Sequence, residues 1–381
     1  MPGLTNLKRS QFIRLGLLSL CSGLTVSMYS LVKATNEPKS TVKVVKSTVK
    51  ANRLKTLSKG FNLGRWQESK FKDGSKLKAT LWRYKSLGLT YTRLPLVLVN
   101  FLNDQNPSVL KEDYLPVLDK IIQMHLKMGL GICLCPFDAP SELYADPAVV
   151  AKFVAFWKAF AHHLSKTDPE KVFLEVLNEP SAETPEIWNT IQVELIQAIR
   201  SWAPNHTIIA SSNLRVSKND WNNTQALLKT EIVKDKNVVY NFHFYTPMVF
   251  THQGATWGWS VLKHIKGIPY PSTPQVVAPV LKKIKDLEAK SVVEYYGKER
   301  WNKAKLLKEL SPVANWAKSN GVPVICNEFG VIPWTGVPKA SMLRYLLDVR
   351  QILESYGIGW GQWFELDLYD RETMQALGLS P

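Results

Sequence analysis

Residues 171–181 read KVFLEVLNEPS, an apolar run that ends abruptly in polar residues and a proline. The run favours a buried strand, because it is rich in Val, Phe and Leu. Asn178, Glu179 and Pro180 then stop it, and a strand interior has no use for a carboxylate. Glu179 therefore indicates that the strand has reached solvent, that the carboxylate is needed at its end, or both.

Similar runs recur along the chain, and their spacing decides the fold. Most of them begin roughly 30 to 40 residues apart, the length of a strand plus a crossover helix. Near-continuous apolar strands are typical of a parallel sheet that is covered on both faces. The runs are GFNLGRW (60–66), YTRLPLV (91–97), GLGICLCPF (129–137), KVFLEVLNE (171–179), TIIASS (207–212), VVYNFHFY (238–245), VPVICNEFG (322–330) and GIGWGQWFEL (357–366).

Eight strands with helices between them predict an α/β fold, a single (β/α)8 TIM barrel. A helical repeat of Ile187, Ile191, Leu195 and Ile199 supports the intervening helices. The alternative is an open doubly wound sheet, but no glycine-rich phosphate loop follows the first run. The longest gap lies between the sixth and seventh runs, where we expect an insertion over residues 246–312.

The net charge of +16 is concentrated near the N-terminus. Residues 1–59 contain eleven Lys or Arg and one acidic residue, and the rest of the chain carries only about +6 without a basic block. We therefore expect no nucleic-acid partner. The basic residues precede an uncharged run, 15–32, and small residues near Ala34 fit signal-peptidase cleavage. This pattern predicts export to the periplasm or medium, or alternatively an N-terminal membrane anchor.

The cysteines and histidines exclude several site classes. Cys133, Cys135 and Cys326 would remain after cleavage, an odd number without metal-site spacing. No histidine pair has metal-ligand spacing beside a glutamate, and no Gly-x-Ser-x-Gly elbow occurs. We therefore expect no metal, and neither a metallohydrolase nor a serine hydrolase.

Reactive residues collect late in the predicted strands, where the active site of a TIM barrel lies. They are Arg93, Asn178, Glu179, His243, Tyr245, Glu328 and Trp363. Glu179 and Glu328 belong to the fourth and seventh strands, across the barrel mouth from one another. Glycosidic bond hydrolysis requires such a pair, one carboxyl group to protonate the leaving oxygen and one to attack or to activate water. A separation of about 5 to 5.5 Å would imply retention of configuration, and a wider one inversion.

The motifs LNEP, NEFG, TRLP and HFY together resemble glycoside hydrolase family 5, a family of retaining barrel glycosidases, over about residues 58–370. The resemblance implies that Glu179 is the general acid/base and Glu328 the nucleophile, with no cofactor. It also implies the supporting roles: Asn178 binds the sugar 2-hydroxyl, Arg93 and Tyr245 hold and tune the nucleophile, His243 supports the acid/base, and Trp363 forms the subsite floor. Trp360 is an alternative to Trp363.

The charge requirements of the two roles agree with this assignment. A nucleophile must stay ionised, which a nearby Arg93 would favour, whereas an acid must stay protonated, which burial and a neighbouring carboxylate would favour. We therefore expect a lowered pKa at Glu328 and a raised pKa at Glu179.

Other residues are candidates for sugar contacts. Where the family commonly has a histidine after the third strand, this sequence has Phe137 followed by Asp138, which either contacts a sugar hydroxyl or leaves the subsite more apolar. Sugar rings stack on aromatic planes, so Trp66 after the first strand and the aromatic loop after the sixth are potential platforms. The loop candidates are Trp257, Trp259 and Phe250, with His252 and Gln253 as hydroxyl partners, unless this loop packs on its own insertion.

The sequence thus predicts an exported, monomeric retaining endo-β-glycanase that acts on a β-linked polysaccharide, with β-1,4-glucan as the first choice. β-Mannan, β-1,3-glucan and xyloglucan stay open, as do a transglycosylase and a non-catalytic glycan-binding protein. The predicted divisions are an export signal (1–34), a linker or mobile leader (35–58) and the catalytic barrel (59–381).

Overall fold

The structure is a computed structural model that describes residues 47–64, 66, 74–363 and 370–380. Eight parallel strands form a closed barrel in the order β1-β2-β3-β4-β5-β8-β9-β10. They are β1 (Lys59–Asn62), β2 (Tyr91–Val97), β3 (Gly131–Phe137), β4 (Val172–Glu175), β5 (Thr207–Ser211), β8 (Val238–Phe244), β9 (Val324–Phe329) and β10 (Gly359–Gln362). Each lies within a predicted run or overlaps it, so the (β/α)8 barrel is confirmed. The predicted export signal lies outside the described residues.

Helices cover the outside of the barrel, and several begin at a capping side chain or a proline. Asp146, for example, accepts a hydrogen bond from the backbone of Ala148 at 2.8 Å. The helices are α1 (Ala51–Thr56), α2 (Ser75–Ser86), α3 (Leu115–Lys127), α4 (Pro147–Leu164), α5 (Pro185–Trp202), α6 (Asn223–Leu228), α7 (Met248–Thr251), α8 (Pro274–Leu281), α9 (Leu287–Lys298), α10 (Lys303–Asn320), α11 (Lys339–Ser355) and α12 (Arg371–Ala376).

Two additions extend the barrel beyond the basic repeat. A small antiparallel hairpin, β6 (Arg215–Ser217) with β7 (Asp220–Trp221), follows β5. The predicted insertion between β8 and β9 contains α7 to α9, and α10 then returns the chain to the barrel. Within it, the Tyr270 hydroxyl donates to Asp348 of α11 at 2.9 Å, so the insertion is tied to the outer helical layer.

The bottom of the barrel is closed by residues that the sequence placed in a linker. Part of that segment, from residue 47 on, is built into the fold. Leu54 of α1 and Val49 pack against a cluster formed by Leu57, just before β1, and by side chains that lie early in the barrel strands. Arg53, 4% exposed, bonds Glu170 and the backbone oxygen of Asn205, so α1 is also tied by polar contacts. The cluster comprises Leu57, Tyr91, Cys133, Phe173, Ile209, Val239 and Ile325.

None of the helices in the described ranges is long and apolar enough to cross a membrane.

Candidate active site

Glu179 reaches the barrel mouth through an unusual backbone conformation. Its φ of 41° lies in the left-handed region, which costs a residue with a Cβ atom about 1 to 2 kcal/mol. Hydrogen bonds on both sides hold this turn: Asn178 N–H donates to the Pro136 oxygen at 2.9 Å, and Leu214 N–H donates to the Pro180 oxygen at 2.7 Å. Hydrogen bonds to β3 and to the segment after β5 therefore hold the strained conformation that directs Glu179 toward His243 of β8. Such strain is typical of functional sites.

Glu328 is positioned by a β-bulge in β9. Asn241 pairs with Ile325 and His243 with Glu328, so β9 has one residue more than β8 between these pairs. The register against β10 shifts at the same place. In a regular strand, Asn327 and Glu328 would point to opposite faces, but a bulge re-aims one of them. The side chains of Asn327 and Glu328 consequently both contact groups inside the barrel.

The two predicted carboxylates meet at the mouth, together with His243. A carboxylate oxygen of Glu179, a ring nitrogen of His243 and a carboxylate oxygen of Glu328 all lie within 4.8 Å of one another. The Glu328 side chain is 5% exposed and that of Glu179 34%, so the first lies deep in the pocket and the second opens toward solvent. These three side chains could in principle chelate a cation. Because Arg93 already binds Glu328 with a full positive charge, we assign no metal to them.

Arg93 forms the floor of this pocket and is completely buried. Its guanidinium donates to Glu328, and to Asn178 Oδ1 at 2.9 Å, as the predicted supporting role requires. The second bond turns the Asn178 oxygen toward Arg93, which leaves the amide nitrogen as a donor for a ligand. Nη1 also donates to Asn62 Oδ1 at 3.1 Å.

A third carboxylate, Glu175, was not predicted by the sequence analysis. It is fully buried at the end of β4 and forms a bidentate ion pair with Arg93, at 2.7 Å from Nε and 2.9 Å from Nη2. It further accepts hydrogen bonds from Asn327 Nδ2 at 2.7 Å, Asn241 Nδ2 at 3.2 Å and the Cys133 thiol at 3.3 Å. A charged residue inside an apolar strand, four positions before Glu179, is the signal that could have revealed it.

His243 and Tyr245 bind the two glutamates from β8 and the residue that follows it. His243 Nδ1 lies 2.9 Å from Glu179 Oε1 and 3.4 Å from Glu328 Oε2, so the imidazole touches both carboxyl groups. The Tyr245 hydroxyl donates to Glu328 Oε2 at 3.0 Å. Both residues thus lie where the family resemblance implied.

The pKa values of the two glutamates are shifted opposite to expectation. Burial raises the pKa of Glu328, and the charges of His243 and Arg93 offset this only in part. Burial would also raise the pKa of Glu179, but the hydrogen bond and charge of His243 bring it below its ordinary value. Burial opposes a charge on His243 as well, yet Glu328 and Glu179 raise its pKa. The proton expected on Glu179 is therefore held in part by His243.

Aromatic rings form one wall of the pocket. Trp363 is half-buried and stacks on Phe137, with ring centroids 6.0 Å apart and an interplanar angle of 17°. Phe137 in turn covers the guanidinium of Arg93, with Cζ 5.1 Å from its centroid. Trp360 is fully buried and donates to Glu354, so it cannot replace Trp363 as a floor.

Two further candidates lie differently. Trp66 is 0% exposed, donates to the Pro95 oxygen at 2.5 Å and packs on Phe101. Its ring belongs to the core, so the predicted sugar platform is wrong. Asp138 is exposed after β3 with a φ of 65°, and partial burial of its carboxyl group raises its pKa. Its predicted sugar contact stays a prediction.

The aromatic loop after β8 divides into exposed and structural parts. Trp257 and Trp259 are 52% and 40% exposed. Phe250 and Gln253 are buried, and the Gln253 amide bonds the backbone of Ile268, so these two predicted sugar contacts are wrong.

His252 in the same loop lies edge-on against Tyr245, 4.9 Å between ring centroids. The Thr251 hydroxyl donates to the backbone oxygen of Tyr245, so His252 Nδ1 must donate to Thr251 Oγ1. Burial lowers the pKa of His252 to about 4, although nearby Glu179 opposes the shift. The ring is therefore neutral near pH 7 and keeps Nε2 as an acceptor.

Comparison with known proteins finds relatives of this chain by sequence and by fold. The sequence model of the cellulase family, glycosyl hydrolase family 5, matches residues 48–365. Endoglucanase C of Acetivibrio thermocellus is 28% identical over 298 residues, which cover 75% of this chain and 83% of that protein. Cellodextrinase A of Ruminococcus flavefaciens is 26% identical over 316 residues, 79% of this chain and 83% of the relative. The crystal structure of endoglucanase Cel5A from Thermotoga maritima is similar with a TM-score of 0.68 and 24% identity, covering 85% of this chain and 98% of that one.

Proposed function

Because the chain belongs to the cellulase family, glycosyl hydrolase family 5, we propose that this glycoside hydrolase is a retaining endo-β-1,4-glucanase that works by double displacement. The observation that carries the proposal is the close approach of Glu179 and Glu328, since a carboxylate oxygen of one lies within 4.8 Å of a carboxylate oxygen of the other. Retaining glycosidases hold their carboxyl groups about 5 to 5.5 Å apart, whereas inverting enzymes leave about 6.5 to 9.5 Å for a water molecule.

In the first step, a Glu328 oxygen attacks the anomeric carbon while Glu179 donates its proton to the leaving glycosidic oxygen. The carbon–oxygen bond to the leaving sugar breaks, and a covalent glycosyl-enzyme forms. Arg93 and Tyr245 bind the two oxygens of Glu328 and orient it for attack. The pair of hydrogen bonds also stabilises the carboxylate when it leaves in the second step.

In the second step, ionised Glu179 takes a proton from water, and the resulting hydroxide oxygen attacks the anomeric carbon. Glu328 is released as a carboxylate and Glu179 regains its proton, so the net reaction consumes one water. Asn178 supplies an amide donor beside the reacting ring, and the stack of Trp363 on Phe137 supplies an apolar wall. These contacts support a six-membered sugar ring as the ligand of the central subsite.

The choice of β-1,4-glucan rests on similarity to proteins named endoglucanase. β-Mannan, β-1,3-glucan and xyloglucan remain alternatives on the same scaffold, since the fold does not decide among them. A transglycosylase would use the same residues with a sugar acceptor in place of water. A panel of these polysaccharides, assayed for new reducing ends with and without an acceptor sugar, distinguishes the cases.

An endo mode predicts that viscosity falls well before most reducing ends appear. Rapid release of short sugars from cellodextrins without loss of polymer viscosity would instead favour an activity like that of the cellodextrinase relative.

The mechanism is tested by Glu179→Gln and Glu328→Gln, with Glu183→Gln as a matched control at an exposed surface ion pair. Each catalytic variant should keep the fold by circular dichroism and lose nearly all hydrolysis. Activity above roughly a tenth of wild type in either would contradict the mechanism, because removal of a general acid or nucleophile costs at least 10²-fold. An aryl glycoside with a good leaving group separates the roles, since its departure needs no acid: Glu179→Gln should still release the phenol in the first step, and Glu328→Gln should not.

We further propose that the chain is exported, on the basis of the basic N-terminus followed by the uncharged run 15–32. Expression with its native N-terminus should yield a product in the periplasm or medium that begins near residue 35. A full-length product in the membrane fraction would favour the anchor instead.

A further inference from the structure

His243 is held on both ring nitrogens, and the groups that face the two nitrogens differ in kind. Nδ1 faces Glu179 Oε1 at 2.9 Å and Glu328 Oε2 at 3.4 Å. Nε2 lies 3.0 Å from Asn327 Oδ1. The His243 side chain is only 5% exposed, so protein groups rather than bulk water decide which nitrogen carries a proton. A neutral imidazole has one N–H and one lone pair, and the partners select between the two forms.

The orientation of the Asn327 amide follows from Glu175. Asn327 Nδ2 lies 2.7 Å from Glu175 Oε2. Glu175 also receives both bonds of the Arg93 guanidinium, and an ionised carboxylate only accepts hydrogen bonds. The reverse orientation of the amide would place its oxygen against a buried carboxylate. Asn327 therefore turns its nitrogen to Glu175 and its oxygen to His243.

An amide oxygen also only accepts, so His243 Nε2 must donate a proton to it. We propose that Asn327, held by Glu175, is a positioning residue that locks His243 in the Nε2–H form and thereby leaves Nδ1 to share the catalytic proton with Glu179. The inference rests on the proposed role of Glu179 as general acid. The bulge in β9 makes the contact between Asn327 and His243 possible, because it turns Asn327 inward beside Glu328.

The lock gives the Glu179–His243 pair one transferable proton. With His243 neutral in the Nε2–H form, Nδ1 has a lone pair and the proton resides on Glu179. With His243 cationic, the proton sits on Nδ1 and Glu179 is ionised. In the first chemical step this proton passes to the leaving oxygen, and in the second a proton from water restores it. If His243 could adopt the Nδ1–H form, the neutral ring would donate to ionised Glu179 and stabilise the state with one proton fewer, so the pair would lose its acid proton at lower pH.

The charges around His243 determine how the pair titrates. Glu179 and Glu328 face it with negative charge and favour the cation, whereas Arg93 opposes it. Glu175 acts through Asn327, and its own charge is stabilised by Arg93 against burial. Tyr245 bonds Glu328 on the other side. Because Glu179 and His243 are strongly coupled, their pKa values belong to the pair rather than to either residue.

The direct test is the tautomer of His243 in the full chain, measured by ¹⁵N-histidine NMR with long-range proton correlation. His243→Gln identifies the signal by its disappearance. Above the titration of His243, the wild-type ring should show a protonated Nε2 and an unprotonated Nδ1. A neutral ring protonated at Nδ1 in the wild-type protein would overturn the proposal, whether or not the protein hydrolyses glucan.

Asn327→Ala removes the acceptor, so the neutral ring should shift toward the Nδ1–H form. The basic limb of the kcat/KM profile should then move to lower pH by roughly one unit, because the deprotonated pair gains a hydrogen bond that it lacks in the wild-type protein. KM should change little. Asn106→Ala, in an exposed loop, is the control and should leave both tautomer and profile unchanged.

An exchange of the carboxylate and the amide between positions 175 and 327 tests whether Glu175 acts on His243 through Asn327. This test remains available even if Asn327→Ala proves unstable. In the double variant Asn327→Asp, Glu175→Gln, the carboxylate and amide exchange places, and the carboxylate introduced at position 327 still accepts from His243 Nε2. The Nε2–H form should therefore persist in the double variant. Loss of the Nε2–H form in the double variant would contradict the inference. Retention of the Nε2–H form together with an unchanged pH profile in Asn327→Ala would contradict it as well. Absence of hydrolysis in the wild-type protein with the tautomer intact would contradict the proposed function alone.

Discussion

At the scale of single residues, the Tyr245 hydroxyl is the contact whose effect on Glu328 can be isolated most cleanly. It donates to Glu328 Oε2 at 3.0 Å and carries no charge of its own near pH 7, because burial, and then the charge of Glu328, raise its pKa. A hydrogen bond to an ionised carboxylate stabilises the ionised form. Tyr245 therefore opposes burial, which raises the pKa of Glu328.

We predict that Tyr245→Phe moves the acidic limb of the kcat/KM profile to higher pH by roughly one unit, since such a hydrogen bond contributes about 1.5 to 3 kcal/mol and part of it is replaced by water. The sign follows because Glu328 must be ionised to attack, and the variant raises its pKa. A pH series on a soluble glucan measures the shift. Tyr295→Phe, at an exposed ring, should leave the limb in place, and an unshifted limb in Tyr245→Phe would contradict the role.

The residues of the site differed in how well the sequence revealed them. Glu179 and Glu328 were predictable because each ends an apolar run at the barrel mouth. Glu175 and Asn327 were not, since Glu175 sits inside an apolar run and the inward position of Asn327 depends on a bulge that no periodicity indicates. Trp66 was misplaced because burial of an aromatic ring after a strand depends on the loop path, here toward Phe101.

At the scale of elements, α3 is attached to β2 by a buried histidine. His125 Nδ1 donates to the Ile121 oxygen at 2.8 Å, so its Nε2 accepts from the Thr92 hydroxyl at 2.7 Å. His125 is completely buried, and burial lowers its pKa to about 4. Protonation would remove the acceptor that joins helix to strand.

We predict that this histidine makes the fold sensitive to acid. Its pKa is lower in the folded than in the unfolded chain, so its contribution is fully present above about pH 6.5 and is lost as pH falls toward 4, by about 3 kcal/mol in total. His125→Gln should reduce the slope of unfolding free energy against pH by up to about 1.4 kcal/mol per unit in that window. Urea unfolding at pH 7, 6 and 5 measures it.

Part of the slope should remain in that variant, because burial also lowers the pKa values of His206 and His252 to about 4. Gln123→Ala, an exposed change on the same helix, should keep the full slope. An unaltered slope in His125→Gln would show that His125 does not control the acid response.

The elements themselves were largely predictable, with α1 as the instructive exception. Barrel strands are predictable from apolar runs that recur at the spacing of a strand plus a helix. At β2 and β3, for example, the observed strand lies within the predicted run. The helix α1 has only six residues, of which Arg53 and Lys55 are basic, and it has no apolar period, so its sequence resembles a linker. Its order comes from contacts distant in the chain, above all Arg53 with Glu170 and Asn205.

At the scale of the whole molecule, exposed tryptophans lie on the loops that follow β8 and β9. Trp257 and Trp334 are 52% and 54% exposed. The two loops are in contact, since Ile332 N–H donates to the Thr251 oxygen at 3.0 Å. Both loops leave the carboxyl ends of barrel strands, the end at which Glu328 lies. We therefore propose that these aromatic faces bind sugar units of the polymer beyond the reacting one.

We predict that Trp257→Ala lowers kcat/KM on polymeric glucan by roughly tenfold, the effect of losing about 1 to 1.5 kcal/mol of aromatic stacking. A short aryl glycoside that occupies only the central subsite should be hydrolysed as before. The comparison of the two substrates is the measurement. Trp82→Ala, at a 68% exposed ring of α2, should affect neither. An equal loss on both substrates would place Trp257 at the central subsite instead.

The buried polar side chains around Arg93 also connect the catalytic activity with the folding of the barrel. Arg93, Glu175, Asn241 and Asn327 come from β2, β4, β8 and β9, and β2 and β4 face β8 and β9 only when the sheet has closed into a ring. An incomplete ring would leave a buried ion pair without its amide donors, a costly state. Enzymatic hydrolysis therefore reports closure of the barrel. During refolding, we expect hydrolysis to return only when the last pair of strands has formed.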